Sequence, residues 1–437
     1  MFKNLNFTAK IIFLHVKLVI MRRFFVFLPF ILLPLVFKAQ DTITVMQYNL
    51  LQYGNYQGYG GCSETTNNTQ LKDECIRTIL DYVRPDIFTV CEFGATQQLQ
   101  QNFLKNNLNV GVNYWKSDNI INTMGSNIIN HIFYDSRKME MKKHVSLPTS
   151  PRNVDVYEMY LKTSSLLSHD TIKLVCIVAH PKAGTGSSNE SSRYATMQTV
   201  MNYISQNYAT ENVLIMGDFN MYTWNESGYQ VLTKTYGNTE ALFFDPLSLE
   251  HGVGDWNNNS KYARFHTQST RTDGGCFSGG GLDDRFDMIL TSDEIRMGEK
   301  KIRFVEGTYK AIGNDGLHFN QNVNQNANAS APMAVIQALY NCSDHLPVTM
   351  KMKVSAHLGV EEHSVAEGFK VYPNPTTGVL FVDLVGVATY RIMNVMGQTV
   401  MTGQTTKEVD VSGLSAGIYF LSIDGAISKF VKTSALY

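Results

Sequence analysis

The stretch "ENVLIMGDFNMYT", residues 211–223, decides the fold: an apolar run from Val213 to Met216 ends against Gly217, Asp218, Phe219 and Asn220. Four consecutive apolar residues bounded by turn formers read as a buried strand. Side chains alternate across a strand, so Asp218 and Asn220 share one side and Phe219 takes the other. A carboxylate and a carboxamide therefore stand together at the C-terminal end of that strand. Layered α/β proteins carry their chemistry at such ends, because the sheet fixes what the loops present. A plain strand-to-loop turn uses the same residue types, so the neighbouring segments must decide between the two.

Around this strand, strand-like and helix-like segments interleave from Thr42 to about Val354. "ITVMQY" and "DIFTVCE" read as strands, and "LKDECIRTILDYV" and "TQQLQQNFLKNN" as helices. The segments "SNIINHIFYD", "VDVYEMYLKTS" and "TIKLVCIVAH" follow without long helices between them, and a helix spans about 191–208. Such a mixture predicts two packed sheets with helices outside. The Asn- and Gln-rich "HFNQNVNQNANASAP" reads as a long surface loop. "AVIQALYN" reads as a helix that leads directly into "CSDHLPVTMKMKV".

Polar groups recur at these strand ends: Asn49, Glu92, His180, Asp218 with Asn220, and Asp344 with His345, while Asp287 lies in the strand-like "LDDRFDMIL". If they converge, burying them without a ligand or mutual pairing is costly. Oxygen donors such as Glu92, Asn49 and Asp344 suit a hard divalent cation, Mg2+ above all, with Mn2+ or Ca2+ as substitutes. No compact His and Cys set or Cys-x-x-Cys spacing favours zinc.

In this order, "QYN", "CE", "AHPKAG", "MGDFN", "RFDMIL" and "SDHLPV" resemble the endonuclease/exonuclease/phosphatase superfamily, the deoxyribonuclease-I-like fold, over roughly residues 42 to 354. The resemblance implies an α/β (α+β) four-layered sandwich with a metal-dependent phosphoester hydrolase site between the sheets. It implies metal binding by Glu92 and Asn49, supported by Asp344, and an acid/base dyad of His345 with Asp287. Asp218 would position or deprotonate the attacking water, and His180 with Asn220 would hold phosphate oxygens. The long insert "GYGGCSETTNNTQ" and the polar loop before Asp344 depart from deoxyribonuclease-like patterns, which leaves the substrate open. Arg193 and Arg264 read as solvated rather than substrate-binding, and Trp115, Trp224 and Trp256 as packing residues.

The chain of 437 residues, 44% hydrophobic, is long enough for more than one domain. Met21-Arg22-Arg23, the apolar run Phe24 to Phe37 and "KAQ" read as an export signal over 1–40, because the run is shorter than the roughly 20 residues of a membrane span. That segment holds six Lys or Arg and no acid, so its removal takes the formal charge from −1 to −7. An acidic protein is a poor nonspecific polyanion binder. Six cysteines would meet an oxidising compartment. Cys62 with Cys75 is the preferred disulfide, worth about 3 kcal/mol in the chain-entropy model, and Cys276 with Cys342 the next. Cys91 and Cys176, inside apolar strands, read as free thiols.

Beyond a linker at 355–368, residues 369–437 show short alternating strands separated by Gly, Asn and Pro turns, the pattern of a small β-sandwich. Here "VYPNPTTGVLFV", "IMNVMGQTV" and "LSAGIYFLSI" resemble the C-terminal sorting domain of the type IX secretion system. The resemblance implies handling by that machinery and a location outside the cell or on its surface. The leading reading of the catalytic domain, 41–354, is a secreted, monomeric endonuclease acting on DNA or RNA. The alternatives are a sphingomyelinase-like or small phosphate-ester hydrolase, and a non-catalytic surface binding protein.

Overall fold

The computed structural model describes residues 41–56, 61–162, 171–234, 241–247, 255–355, 371–382, 388–395, 398–423 and 426–434. The expected export signal, His251 and nearly all of the expected linker lie outside the described residues. The chain divides into two compact units, Met1–Ala356 and His357–Tyr437. Among the described residues no helix is long and apolar enough to cross a membrane.

The first unit opens with β1 (Asp41–Tyr53), α1 (Thr69–Val83), β2 (Ile87–Gly94), α2 (Gln97–Phe103), β3 (Trp115–Lys116) and β4 (Ile128–Asp135). Its middle is β5 (Met139–Leu147), β6 (Val154–Leu161), β7 (Ile172–Val178), α3 (Ser187–Asn207), β8 (Val213–Asp218), α4 (Ser227–Thr233), β9 (Phe243–Phe244) and β10 (Asp287–Ser292). It closes with α5 (Asp293–Met297), β11 (Ile302–Phe304), β12 (Lys310–Ala311), α6 (Met333–Cys342) and β13 (Val348–Val354). One sheet has the order β11-β13-β1-β2-β4-β3, with β12 also on β13, and the other the order β5-β6-β7-β8-β10-β9. Each is built around a parallel pair, β1 with β2 and β7 with β8, flanked by antiparallel neighbours.

Three apolar clusters make this a four-layered sandwich. Between the sheets, Val45, Cys91 and Ile132 meet Leu174, Leu214, Met216 and Ile289. Outside, α1 and α6 cover the first sheet through Ile76, Ile79, Ile336 and Leu339, and α3 with α4 cover the second through Met197, Val200, Ile204 and Leu232. The Asn- and Gln-rich loop is ordered: Val323 is buried in the outer cluster, and its amide bonds to the Thr270 carbonyl at 2.9 Å.

Local backbone features place the strand ends. The β1/β2 ladder runs to Asn49 opposite Cys91 and resumes at Tyr53 opposite Phe93, so three residues of β1 face Glu92 alone. This bulge bends the strand and aims its side chains anew. Leu51, Gln52, Glu92 and Asn220 are four of the nine described non-glycine residues with positive φ, a strain that collects where geometry serves a site. At Gly217 a Cβ would stand 1.8 Å from the Ala179 carbonyl oxygen, so only glycine lets the ends of β7 and β8 approach.

The cysteines correct the expectation. Cys62 is bonded to Cys276, across 214 residues, and Cys75 and Cys342 are free. The preferred and second pairs are thus both replaced by one that joins two loops through a small cluster with Leu51 and Phe277. Cys91 and Cys176 are free and buried, as read from their strands.

The second unit consists of a three-stranded sheet, β14 (Val371–Tyr372), β15 (Val379–Val382) and β18 (Glu408–Asp410), and a four-stranded one, β17-β16-β19-β20, formed by β16 (Ala388–Asn394), β17 (Thr399–Thr405), β19 (Gly417–Ile423) and β20 (Ala426–Lys432). Leu380, Val382, Ile392, Val409, Leu421 and Phe430 form its core.

Closing a loop of that length restricts the unfolded chain strongly. Cys276→Ala is expected to lower the stability of the first unit by about 3–5 kcal/mol in the chain-entropy model, read as a fall in the urea midpoint. A midpoint equal to that of the unaltered chain would contradict the pairing.

Candidate active site

The six strand-end groups converge on one cavity of about 490 Å³, whose lining includes Glu92, His180, Asp218, Asn220, Asp344 and His345. Asn49 and Asp287 lie directly behind these, fully buried. The first sheet supplies Asn49 and Glu92 and the second Asp218 and Asp287, so the site lies where the two sheets meet at one end of the sandwich.

Asp287 and Asp218 are cross-strand partners on β10 and β8. Asp287 Oδ2 stands 2.7 Å from His345 Nδ1, joining the second sheet to the segment that leads into β13. Burial opposes charge on His345, but Asp287 foremost, with Asp218 and Asp344, outweighs it and holds this imidazole well above its usual range. Asp218 is pushed up to about 6, chiefly by burial, with the His345 charge opposing the rise. Asn49 Nδ2 bridges the sheets, donating to Asp218 Oδ2 at 2.9 Å and to Glu92 Oε1 at 3.1 Å. The Asn220 amide donates to Asp218 Oδ1 at 3.0 Å, which the left-handed turn at Asn220 permits.

His180 is of the opposite kind. Its Nδ1 takes a hydrogen bond from Arg152 Nη1, and a guanidinium can only donate. The remaining proton is therefore on Nε2, which faces Asp218 Oδ2 at 3.4 Å. Burial, then the Arg152 and His345 charges, hold this ring well below the usual pKa, so it is a neutral donor into the cavity.

The donor set fits a hard divalent cation. Glu92, His180 and Asp218 offer ligand atoms within 4.8 Å of one another. The Nε2 proton removes His180 from that set, leaving oxygens. Asp344 supplies the complementary observation: Oδ2 accepts from the Ser278 amide at 2.9 Å, while Oδ1 is buried without a partner. Glu92 has a raised pKa from burial and then from Asp344, the mutual penalty that a bound cation relieves. Asn49 is turned with its amide nitrogen towards the carboxylates and its Oδ1 on the Leu51 amide at 2.9 Å, so in this conformation it spaces the acids rather than offering them an oxygen.

Several lining residues carry no motif. Arg152 precedes β6 in "SPRNV"; Gln52 donates to Glu92 Oε2 from its side chain at 2.9 Å and its backbone at 3.1 Å. The Gln268 side-chain amide stands 2.7 Å from His345 Nε2, a contact that suits the protonated ring when the amide presents its accepting Oε1. Lys182 and Tyr222 complete the rim. A basic residue next to a strand start was the one available signal, for Arg152. Arg193 is neither solvated nor in the cavity: it is fully buried, pairs with Glu226 at 2.8 Å and holds the carbonyls of Lys182 and Gly184. Arg264 is exposed outside the cavity, and Trp256 is buried with its Nε1 on the Met221 carbonyl.

The His345–Asp287 pair makes a direct prediction. A folded-state pKa above the free imidazole value of about 6.5 means the pair's stabilisation is complete below that pH and is lost as pH rises through the folded value. In chelator at pH 7, ring nitrogen NMR should find His345 protonated, and Asp287→Asn should make it neutral. A neutral His345 in the unaltered protein would contradict the assigned electrostatics.

Among solved structures, an endonuclease/exonuclease/phosphatase family protein from Bacteroides thetaiotaomicron is similar at 12% identity, covering 72% of this chain and 99% of its own, with a TM-score of 0.43. A mannosyl-6-phosphatase from the same organism is similar at 13% identity, covering 71% and 99%, with a TM-score of 0.42. The human Nocturnin catalytic domain with bound sulfate anion is similar at 12% identity, covering 72% and 98%, with a TM-score of 0.43. No curated protein matches the chain. Residues 370–435 match the secretion system C-terminal sorting domain, and the chain thus carries the address of a protein exported to the cell surface or beyond it.

Proposed function

We propose that the first unit is an exported, metal-dependent phosphoester hydrolase that uses an activated water, with DNA or RNA phosphodiesters as its leading substrate. One observation carries the reading: two acids, Glu92 and Asp344 with its unpaired Oδ1, face the same cavity as Arg152, His180 and His345. Carboxylates that want a cation, beside donors that want an anion, suit a phosphate held between them.

Glu92 and Asp344 would hold Mg2+, or Mn2+ or Ca2+ in its place, with Asn49 supporting. When bound, the cation supplies positive charge to a phosphoryl oxygen and orients water. Arg152 and the Nε2 proton of His180 bind the other phosphoryl oxygens, with Asn220 beside them. Asp218, with a pKa of about 6, accepts the proton of the attacking water. His345, kept protonated by Asp287, donates towards the phosphoryl group and the departing oxygen. Its high pKa favours this donor task over that of resting general base.

A smaller phosphate ester is the second reading, favoured by the cations of the cavity. Beside the histidines, Arg152 and Lys182 are the basic residues that line it, enough for one phosphate, and the chain without residues 1–40 is acidic. Cleavage of plasmid DNA, RNA, sphingomyelin and sugar phosphates, each with Mg2+, separates the readings. Cleavage of the nucleic acids supports the first, and of the small esters alone the second.

Three variants test the roles on whichever substrate is cleaved. Glu92→Ala is expected to lower kcat at least about 100-fold, the scale of a lost charge-stabilising group. His345→Ala should lower it by about 10³-fold, with the far-ultraviolet circular dichroism unchanged. Arg152→Ala should raise KM as well as lower kcat, since it binds phosphate in both ground and transition states. A loss below tenfold in His345→Ala would remove the proton-donor role.

A further inference from the structure

Lys72 is 2% exposed, yet it forms no ion pair among the described residues. Its ammonium instead donates to two consecutive carbonyls, Leu50 at 2.6 Å and Leu51 at 2.7 Å. These belong to the β1 bulge, where the ladder to β2 is interrupted and neither carbonyl has a regular strand partner. The bulge carries two left-handed residues, Leu51 with φ 44° and Gln52 with φ 52°. Asn67, on the turn before α1, adds donation from Nδ2 to the Leu51 carbonyl at 2.9 Å. Burying a lysine is costly, and burial lowers this one to about 8, against the opposing pull of Cys342, Asp344, Glu92 and Cys75. A side chain kept at that cost has an apolar substitute of similar length in methionine, so its polar end has a purpose that packing does not supply.

The consequence lies one residue away on either side. Asn49, just before the clamped carbonyls, holds Glu92 and Asp218 apart, and Gln52, just after them, places two donors on Glu92 Oε2. We propose that Lys72 is a positioning residue of the cation site, whose ammonium fixes the Leu50–Leu51 bulge and thereby sets the carboxylate of Glu92 through Asn49 and Gln52. The inference rests on the reading of Glu92 as a cation ligand. Lys72 touches neither the cation nor the substrate; it acts on the ligand through backbone carbonyls, as outer groups of metal sites do.

The test is Mn2+ binding to the full chain, followed by electron paramagnetic resonance of the free ion, which needs no turnover. Lys72→Met is expected to raise the dissociation constant about 10- to 100-fold, the range found for outer groups of metal sites. Asn67→Ala, which removes a second donor from the same carbonyl, should weaken binding in the same direction by a smaller factor and serves if Lys72→Met does not fold. Leu232→Ala, a core truncation under the other sheet, should leave the affinity within about twofold. Affinity within twofold of the unaltered chain in a folded Lys72→Met, or in Asn67→Ala if only that folds, overturns the inference; so does an equal loss in Leu232→Ala, which would mark general destabilisation. Glu92→Gln distinguishes the two levels: if it binds Mn2+ like the unaltered chain, the reading of Glu92 fails; if it alone loses Mn2+, only the role of Lys72 fails.

Discussion

Crowding of like charge among largely buried carboxylates governs the first unit. Glu92, Asp218, Asp287 and Asp344 are drawn to one end of two packed sheets, and Asp218 stands directly across the β8/β10 ladder from Asp287. Desolvated carboxylates at such spacing repel and favour protonation unless countercharge is supplied. His345 supplies it to Asp287 and Asp218, Arg152 supplies it at longer range to Glu92 and Asp218, and the unpaired Oδ1 of Asp344 is left for an incoming cation. The site is thus incomplete in charge, as the proposed hydrolysis of phosphate esters requires.

The rest of the fold reads as support for that crowding. Strained positions at Leu51, Gln52, Glu92 and Asn220, each of a kind that costs on the order of 1–3 kcal/mol, gather at and beside the strand ends around the cavity. Lys72 and Asn67 hold the first bulge, and the disulfide to Cys276 anchors the loop that follows it. Arg193 holds the turn after His180. Two buried histidines in the same cavity acquire opposite characters: burial, with the Arg152 guanidinium, keeps His180 neutral, whereas the carboxylates about His345, Asp287 foremost, outweigh its burial. Neither character is visible from the residue type.

What the sequence disclosed follows from this arrangement. A strand that must be buried and then end in a carboxylate has to be written as an apolar run followed by a polar residue, so Asp218, Glu92 and His180 were legible one by one. Their convergence was legible only because several such endings occur in one segment. Arg152 and Gln268 lie on loops without period, where nothing local distinguishes a cavity residue from a solvated one. Edge strand β5 carries no clear strand pattern in the sequence, because "MEMKKHVSL" is charged and its register slips between Met141 and Lys143, which breaks the alternation. The disulfide joins residues 214 apart, a partnership set by tertiary proximity, whereas spacing in the chain favoured Cys75. Arg193, an arginine on an otherwise ordinary helix, gave no sign that it would be buried.

The most direct measurement is the initial rate of hydrolysis of a bis-aryl phosphodiester as Mg2+ is added back to chelator-treated protein. The account predicts a rate at background in chelator that rises to saturation with Mg2+ and is absent from His345→Ala. Equal rates with and without the metal, or saturating turnover that persists in His345→Ala, would contradict it.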